Sequence, residues 1–98
     1  MKLECIDSSV YTNFYHCDIT RLLDQACNGK DEHYLSVFVR DGKKCIRIYT
    51  SERCVGGIWT DESDVIKRIH VGYDLIGFYG ADINEKLQKF IGKVLEFE

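Results

Sequence analysis

The dipeptide Asp41-Gly42 constrains the fold of this chain more than any other feature of its sequence. It separates two runs rich in β-branched and aromatic residues, HYLSVFVR and KKCIRIYT. A two-residue hairpin loop of type I′ requires positive φ at both central positions, and Asp-Gly is a preferred pair for such a loop. We therefore predict a central β-hairpin over residues 35–50, in which Arg40 lies opposite Lys43.

The predicted register gives the hairpin two different faces, because successive side chains of a strand point to opposite sides of the sheet. Leu35 and Val37 lie opposite Ile48 and Ile46 on an aliphatic face, which we expect to line the core. The opposite face is aromatic and contains Arg47, and we expect it to face solvent, to be covered by a helix or to make contacts. Its predicted pairs are Tyr34 with Tyr49, Ser36 with Arg47 and Phe38 with Cys45.

Further strands are predicted from short apolar runs between turn residues. LECI and VYTNFYH, on either side of the turn residues 7–9, indicate an N-terminal strand pair. VGGIWT predicts a strand with a bulge at its two glycines. GYDLIGFY predicts another strand, which three glycines punctuate.

Helices are predicted from apolar side chains that recur at three- and four-residue spacing. Asp18 is the predicted cap of a short helix that ends at Asn28 and Gly29. The run DESDVIKRIHV at 61–71 fits either a helix or a strand, and its acidic start favours a short helix. Asp82 begins the clearest helix, whose core-facing residues are Ile83, Leu87, Phe90, Ile91, Val94 and Leu95.

Together these elements predict a single α+β domain over residues 1–98. Its antiparallel sheet of five or six strands has the hairpin at its centre and is packed by the C-terminal amphipathic helix and one or two shorter helices. A chain of 98 residues builds one core and leaves little volume for an enclosed cavity. We therefore predict a shallow surface site and no cofactor.

The cysteines of the chain indicate a reducing compartment. There are five of them, without a C-x-x-C pair, whereas a disulfide framework uses an even number. The three histidines supply no partner at the spacing of a structural zinc site, so no metal site is predicted. The chain begins without the features of a secretory leader and contains no apolar run of about 18 residues. We expect a cytoplasmic protein that does not bind membranes.

Charge and motif content argue against nucleic-acid and nucleotide binding. The formal net charge is −3, and the basic residues are dispersed along the chain, whereas a surface that follows phosphates needs clustered Lys and Arg. Neither VGG nor GFYG matches a glycine motif that binds phosphate. We therefore expect no nucleic-acid partner.

Two catalytic alternatives remain open on the residues alone. Cys17 precedes the predicted helix beside His16, and the positive end of the helix dipole would lower the pKa of its thiol. His33 or His70 would be an alternative base for this nucleophile, or the base of a small nuclease that uses an arginine on the phosphate. No third residue that would orient the base is identifiable, and we predict a protein that is not an enzyme.

The acidic residues are concentrated in the middle of the sequence. Residues 52–85 carry seven acidic and three basic side chains, together with the single tryptophan. An aromatic anchor with a charged rim gives a binding surface both affinity and fast encounter with a partner of opposite charge. We therefore predict a partner-binding surface made of Trp59, Asp61, Glu62, Asp64, Tyr73 and Asp74.

The predicted function is that of a small protein-binding module. Its predicted form is a stoichiometric inhibitor of the immunity or antitoxin type, which masks the basic site of another protein such as a toxin or nuclease. A homodimer is compatible with the sequence, and a homo-oligomeric protein that buries the face of Tyr34, Phe38 and Tyr49 is a third alternative. The competing interpretation of the predicted surface is structural: Trp59 would fill the core and the acids would complement a helix dipole.

Overall fold

The sheet of this protein is an antiparallel meander in which each strand pairs with the next one along the chain. The computed structural model describes residues 14–51 and 53–97. The predicted strand LECI lies outside them, whereas the predicted α+β class with a five-stranded sheet is confirmed. The strands are β1 Phe14–Tyr15, β2 His33–Arg40, β3 Lys43–Thr50, β4 Arg53–Thr60 and β5 Ile66–Val71; the helices are α1 Asp18–Ala26, α2 Ile76–Tyr79 and α3 Ile83–Leu87.

Strands β2 and β3 form the predicted hairpin. Asp41 and Gly42 adopt φ of 53° and 73°, as the two-residue loop requires. Arg40 lies opposite Lys43, and every other predicted pair of the hairpin is also present. The predicted core face is buried, and it consists of Leu35, Val37, Ile46 and Ile48.

One hydrophobic core joins this face of the sheet to the helices. Ile19 and Leu23 of α1, together with Ile83 and Leu87 of α3, are buried against the strand residues. The helices therefore cover one face of the sheet, in agreement with the prediction. Across the described residues, no helix combines the length and the apolar composition that crossing a bilayer requires.

Residues 61–71 form a turn and strand β5, so the predicted short helix is wrong. The carboxylate of Asp61 accepts hydrogen bonds from the amides of Ser63 and Val65, and these bonds close a turn instead of beginning a helix. β5 then pairs with β4, with a register shift beside Trp59. The shift interrupts the two-residue alternation of the strand, and for this reason the local pattern was ambiguous.

Residues 73–79 are helical, so the strand predicted from GYDLIGFY is also wrong. A 3₁₀ turn over Tyr73–Leu75 leads directly into α2. Leu75 and Tyr79, four positions apart, both pack against the core, as on one side of a helix. Gly80 ends α2 with φ of 107°, a conformation that side-chain-bearing residues rarely adopt.

The C-terminal helix is present but shorter than predicted. After α3, a 3₁₀ turn over Gln88–Phe90 leads to Gly92, whose φ of 86° turns the chain back toward β5. Backbone hydrogen bonds then join residues 92–95 to Asp64 and Ile66. Of the predicted core set, Ile91 and Val94 are therefore exposed, and the buried members are Ile83, Leu87, Phe90 and Leu95.

Side chains of α3 and the turn after it bind the outer edge of β5. The amide of Val71 donates to Asn84 Oδ1 at 3.0 Å, and Gln88 Nε2 donates to the carbonyl of Ile69 at 3.4 Å. An open edge strand presents unpaired amides and carbonyls to which another strand can add. Because α3 occupies this edge, the surface that β5 offers to a partner is the face turned away from the helices.

Candidate functional site

The structure divides the predicted partner-binding residues between opposite ends of the sheet. Trp59 lies near the end of β4, and the three acids Asp61, Glu62 and Asp64 lie in the turn after it. Tyr73 and Asp74 follow β5 and return to the start of β4, where Asp74 contacts Arg53. An extended chain from Arg53 to Trp59 spans about 20 Å. The two groups therefore form separate surfaces.

Most of the predicted acids form ion pairs with basic residues of the same chain. Asp61 also accepts amide hydrogen bonds, of which that from Val65 contributes most to holding its pKa below the ordinary range. No ion pair between described residues involves Glu62, which is exposed in the turn. The excess of acid counted along the sequence is thus largely balanced in space. The pairs are Asp61 with Lys67 at 3.6 Å, Asp74 with Arg53 at 3.0 Å, and Asp64 with Lys44.

Trp59 lies on the outer face of the sheet, so the interpretation that it fills the core is wrong. Its side chain is 46% exposed. The indole lies against Gly57, where an added Cβ would be 3.2 Å from indole Cη2. The guanidinium carbon of Arg68 is 4.7 Å from the centre of the ring, and the His70 ring centre is 6.0 Å away. We call Gly57, Trp59, Arg68 and His70 the Trp59 patch.

A groove of about 390 Å³ runs along the outer face beside the Trp59 patch. Gly56 and Gly57, where a bulge was predicted, line this groove, and the register of β3 and β4 shifts beside them. A Cβ on Gly56 would meet the backbone carbonyl oxygen of His70 at 2.3 Å, so only glycine fits between the strands there. Cys45 and Cys54 line the same groove.

The part of the outer face on β2 and β3 differs from the Trp59 patch because its aromatic rings are largely buried. Phe38 and Tyr49 are both buried, and the guanidinium carbon of Arg47 lies 5.1 Å from the centre of the Phe38 ring. Tyr34 is half-buried and stacks on Tyr49. A homo-oligomer that used this part of the face would therefore gain little new apolar burial.

Cys17, the candidate nucleophile, is buried at the start of α1. It occupies the cap position that was predicted for Asp18: its amide donates to Thr20 Oγ1 at 3.0 Å, and the Thr20 hydroxyl donates to the Cys17 carbonyl at 2.9 Å. Burial raises the pKa of the Cys17 thiol, opposite to the lowering expected from the helix dipole. A protonated and buried thiol is a poor nucleophile.

His33, the second catalytic candidate, joins α1, β2 and α2 through a buried network. Its Nδ1 lies 2.6 Å from Asp24 Oδ1, and its Nε2 lies 2.7 Å from the hydroxyl oxygen of Tyr79. Burial raises the pKa of Tyr79, so the phenol retains its proton. His33 is 0% exposed and Tyr79 is buried. This Asp–His–Tyr network therefore joins the three elements in the folded structure and leaves His33 inaccessible to a substrate.

The His, Cys, Asp and Glu side chains of the described residues do not form a metal site. No group of three or more His, Cys, Asp or Glu side chains lies close enough together within residues 14–51 and 53–97. His16 lies 3.5 Å from Glu32, and His70 belongs to the Trp59 patch on the other face. The described histidines are thus used in three separate places.

The described cysteines are free thiols with different accessibility, which predicts their reactivity. Cys17 and Cys27 are buried and Cys54 is exposed, while Cys5 lies outside the described residues. We expect iodoacetamide to label Cys54 in the native protein, and to label Cys17 and Cys27 slower by roughly tenfold or more. A reductant should leave the melting temperature unchanged. Mass spectrometry of peptides from a labelling time course measures the rates, and labelling of Cys17 as fast as Cys54 would contradict the buried cap.

Arg68 is a site residue that the sequence prediction missed, and His70 was predicted only as a candidate catalytic base. Both were assigned to a helix over 61–71, where their side chains would not share a face with Trp59. In the strand, Ile69 and Val71 point to the core while Arg68 and His70 point outward. This period-two alternation was the signal that could have found them.

Comparisons of the chain with protein-family models, with curated proteins and with solved structures give no match. Its function is therefore inferred from the geometry of its own residues.

Proposed function

We propose that this protein is a small protein-binding module that contacts its partner through the Trp59 patch. The observation that carries the proposal is a tryptophan that is 46% exposed on the face of a regular sheet. Tryptophan and arginine are among the residues that contribute most to binding energy in protein interfaces. Because Gly57 and Arg68 already hold the indole, it loses little conformational freedom when a partner binds.

The state of the titratable groups supports binding over catalysis. Cys17 lines a groove of about 410 Å³, but its side chain is buried and the raised pKa of its thiol favours the protonated form. His33 has both ring nitrogens within hydrogen-bond distance of protein oxygens and is shielded from solvent. A binding module needs neither an activated nucleophile nor an accessible base.

The form that we propose is a stoichiometric inhibitor of the immunity or antitoxin type, which masks a site on another protein. An inhibitor acts through a preformed surface, and strands β4 and β5 supply one because their backbones pair without interruption from Gly56 to Trp59. The prediction of a basic partner now depends mainly on Glu62, because the other acids of the predicted surface are paired within the chain.

We expect Trp59→Ala to weaken partner binding by about 2 kcal/mol or more, roughly thirtyfold, without unfolding the domain. The partner is first isolated by cross-linking in the source cells, and its affinity for each variant is then measured by calorimetry. Tyr73→Ala is the matched control, because Tyr73 is 88% exposed at the opposite end of the sheet. Equal affinity of Trp59→Ala and the unchanged protein would remove the Trp59 patch from the interface.

The same assay determines the sign of the partner's charge. Glu62→Lys should slow association with a basic partner several-fold at low salt and speed association with an acidic one, because steering follows the local charge. Glu85→Lys makes the same change on α3, away from the patch, and serves as the control.

A further inference from the structure

The outer face of the sheet gathers positive charge that is dispersed in the sequence. The register assigns its members: Arg40 pairs with Lys43, Arg47 with Gly57, and Trp59 with Arg68, so that all of these side chains point away from the helices. Among the described strand residues, no outward-pointing position carries Asp or Glu. The described strand residues of this face thus carry only positive formal charges, while Asp61 and Glu62 of the adjacent turn line a groove with Lys43.

Three of these cations are exposed on the outer face. Arg68 is exposed within the patch itself, and Arg40 and Lys43 are exposed at the end of the β2–β3 hairpin. Each exposed cation attracts anions over about 10 Å near physiological salt, and Arg68 does so directly at Trp59. The complementary ligand of this face carries several negative charges.

We propose that the Trp59 patch binds an acidic segment of the partner protein, with a carboxylate on Arg68 and an apolar side chain on the edge of Trp59. This inference depends on the proposed function and identifies the chemistry of the partner. Arginine is suited to the role because its planar guanidinium donates two parallel hydrogen bonds to one carboxylate. It reverses the sign of the partner that the sequence predicted.

The geometry of Trp59 favours a carboxylate over a nucleic-acid base. Single-stranded nucleic acid binds such faces by stacking its bases on open aromatic rings. Here the indole lies against Gly57, and the Arg68 guanidinium lies 4.7 Å over the ring. A base would have to displace the guanidinium, whereas a carboxylate binds its N–H donors in the guanidinium plane and leaves the stacked pair intact.

The fluorescence of Trp59 tests this proposal directly, because the chain contains one tryptophan. The probes are a peptide of about four Asp-Glu-Leu repeats, its uncharged Asn-Gln-Leu counterpart, and a single-stranded oligothymidylate of similar length. We expect saturable binding of the acidic peptide, tighter than the uncharged one by about tenfold at low salt and weakened at high salt.

Charge-reversal variants locate the binding. Arg68→Glu should lower the affinity for the acidic peptide by about tenfold or more, and Arg68→Gln should lower it by less. Lys30→Glu is the matched control, because Lys30 is exposed in the turn after α1, on the side of the sheet that carries the helices. Circular dichroism confirms that each variant is folded. An equal loss in Lys30→Glu and Arg68→Glu would overturn the proposal.

The remaining outcomes are also decisive. If neither peptide changes the fluorescence, or if both bind equally, the Trp59 patch does not bind an acidic segment and the proposal is wrong. Tighter binding of the oligothymidylate with the same dependence on Arg68 would instead assign the face to nucleic acid. If the cross-linked partner depends on Trp59 but not on Arg68, the protein-binding function stands while this inference fails.

Discussion

Val37→Asp is expected to abolish the cooperative unfolding transition of this protein. Val37 is 2% exposed and lies opposite Ile46 on the core face of the hairpin. Burying a carboxylate without a partner costs several kcal/mol, and a domain of this kind is stable by only about 5 to 15 kcal/mol. Urea titration followed by circular dichroism should show a sigmoidal transition for the unchanged protein and a sloping baseline for the variant.

Val94→Asp provides the matched control for this result. Val94 is 55% exposed near the C-terminal end of the described chain, so the same substitution places its carboxylate in water. We expect a change in the free energy of unfolding of about 1 kcal/mol or less. A native-like transition in Val37→Asp would mean that the hairpin register does not determine the core.

His33→Ala should have the next largest effect, about 3 to 5 kcal/mol on the free energy of unfolding. The substitution opens a cavity at a side chain that is 0% exposed. It also leaves the Asp24 carboxylate and the Tyr79 hydroxyl without their imidazole partner. Denaturant unfolding at neutral pH measures the loss, and His16→Ala, at a partly exposed histidine, is the control.

Tyr79→Phe separates the hydrogen bond from the cavity, and we expect it to cost about 1 to 3 kcal/mol. The double variant with His33→Ala should cost less than the sum of the two, because both changes break the same bond. The raised pKa of Tyr79 adds a pH signature. Its contribution is present below the unfolded pKa of about 10 and is lost as pH rises above it. Strict additivity would show that the His33–Tyr79 contact carries no energy.

The structural and functional predictions concern opposite faces of the same sheet. Val37 and His33 lie with the helices, and their loss should unfold the domain. Trp59 and Arg68 lie on the outer face, where substitution should change binding and leave the fold intact. This separation allows a loss of binding in the Trp59 patch to be attributed to the surface itself.

The hairpin was determined by the sequence alone because all of its information is local. The Asp41-Gly42 loop specifies the turn, and the two-residue period of the flanking runs specifies which face is buried. The end of α1 was also predicted from local sequence, because Asn28 and Gly29 adopt the positive φ expected of a helix terminus.

Tertiary structure decided β5, α2 and the end of the C-terminal helix. The register shift beside Trp59 interrupts the alternation of β5 at Lys67 and leaves only the four residues 68–71 alternating, a run too short to identify the strand. The apolar spacing after residue 82 fits a helix that continues to Leu95. Residues 92–95 instead form backbone hydrogen bonds with Asp64 and Ile66. Over a short segment, the intrinsic preferences for helix and for strand differ by little. Contacts with a distant part of the chain are therefore enough to determine which of the two forms.

The candidate site depended on tertiary structure most of all. A count along the sequence finds excess acid in residues 52–85 and dispersed basic residues. Folding pairs Asp64 with Lys44 and places Arg68 on the same face as Arg40 and Lys43. In physiological salt, charges interact over about 10 Å in space. The distances between these charges are set by the pairing of strands that are far apart in the sequence. The sequence therefore determined where the turn and core strands lie, and only the assembled sheet determined which charges surround Trp59.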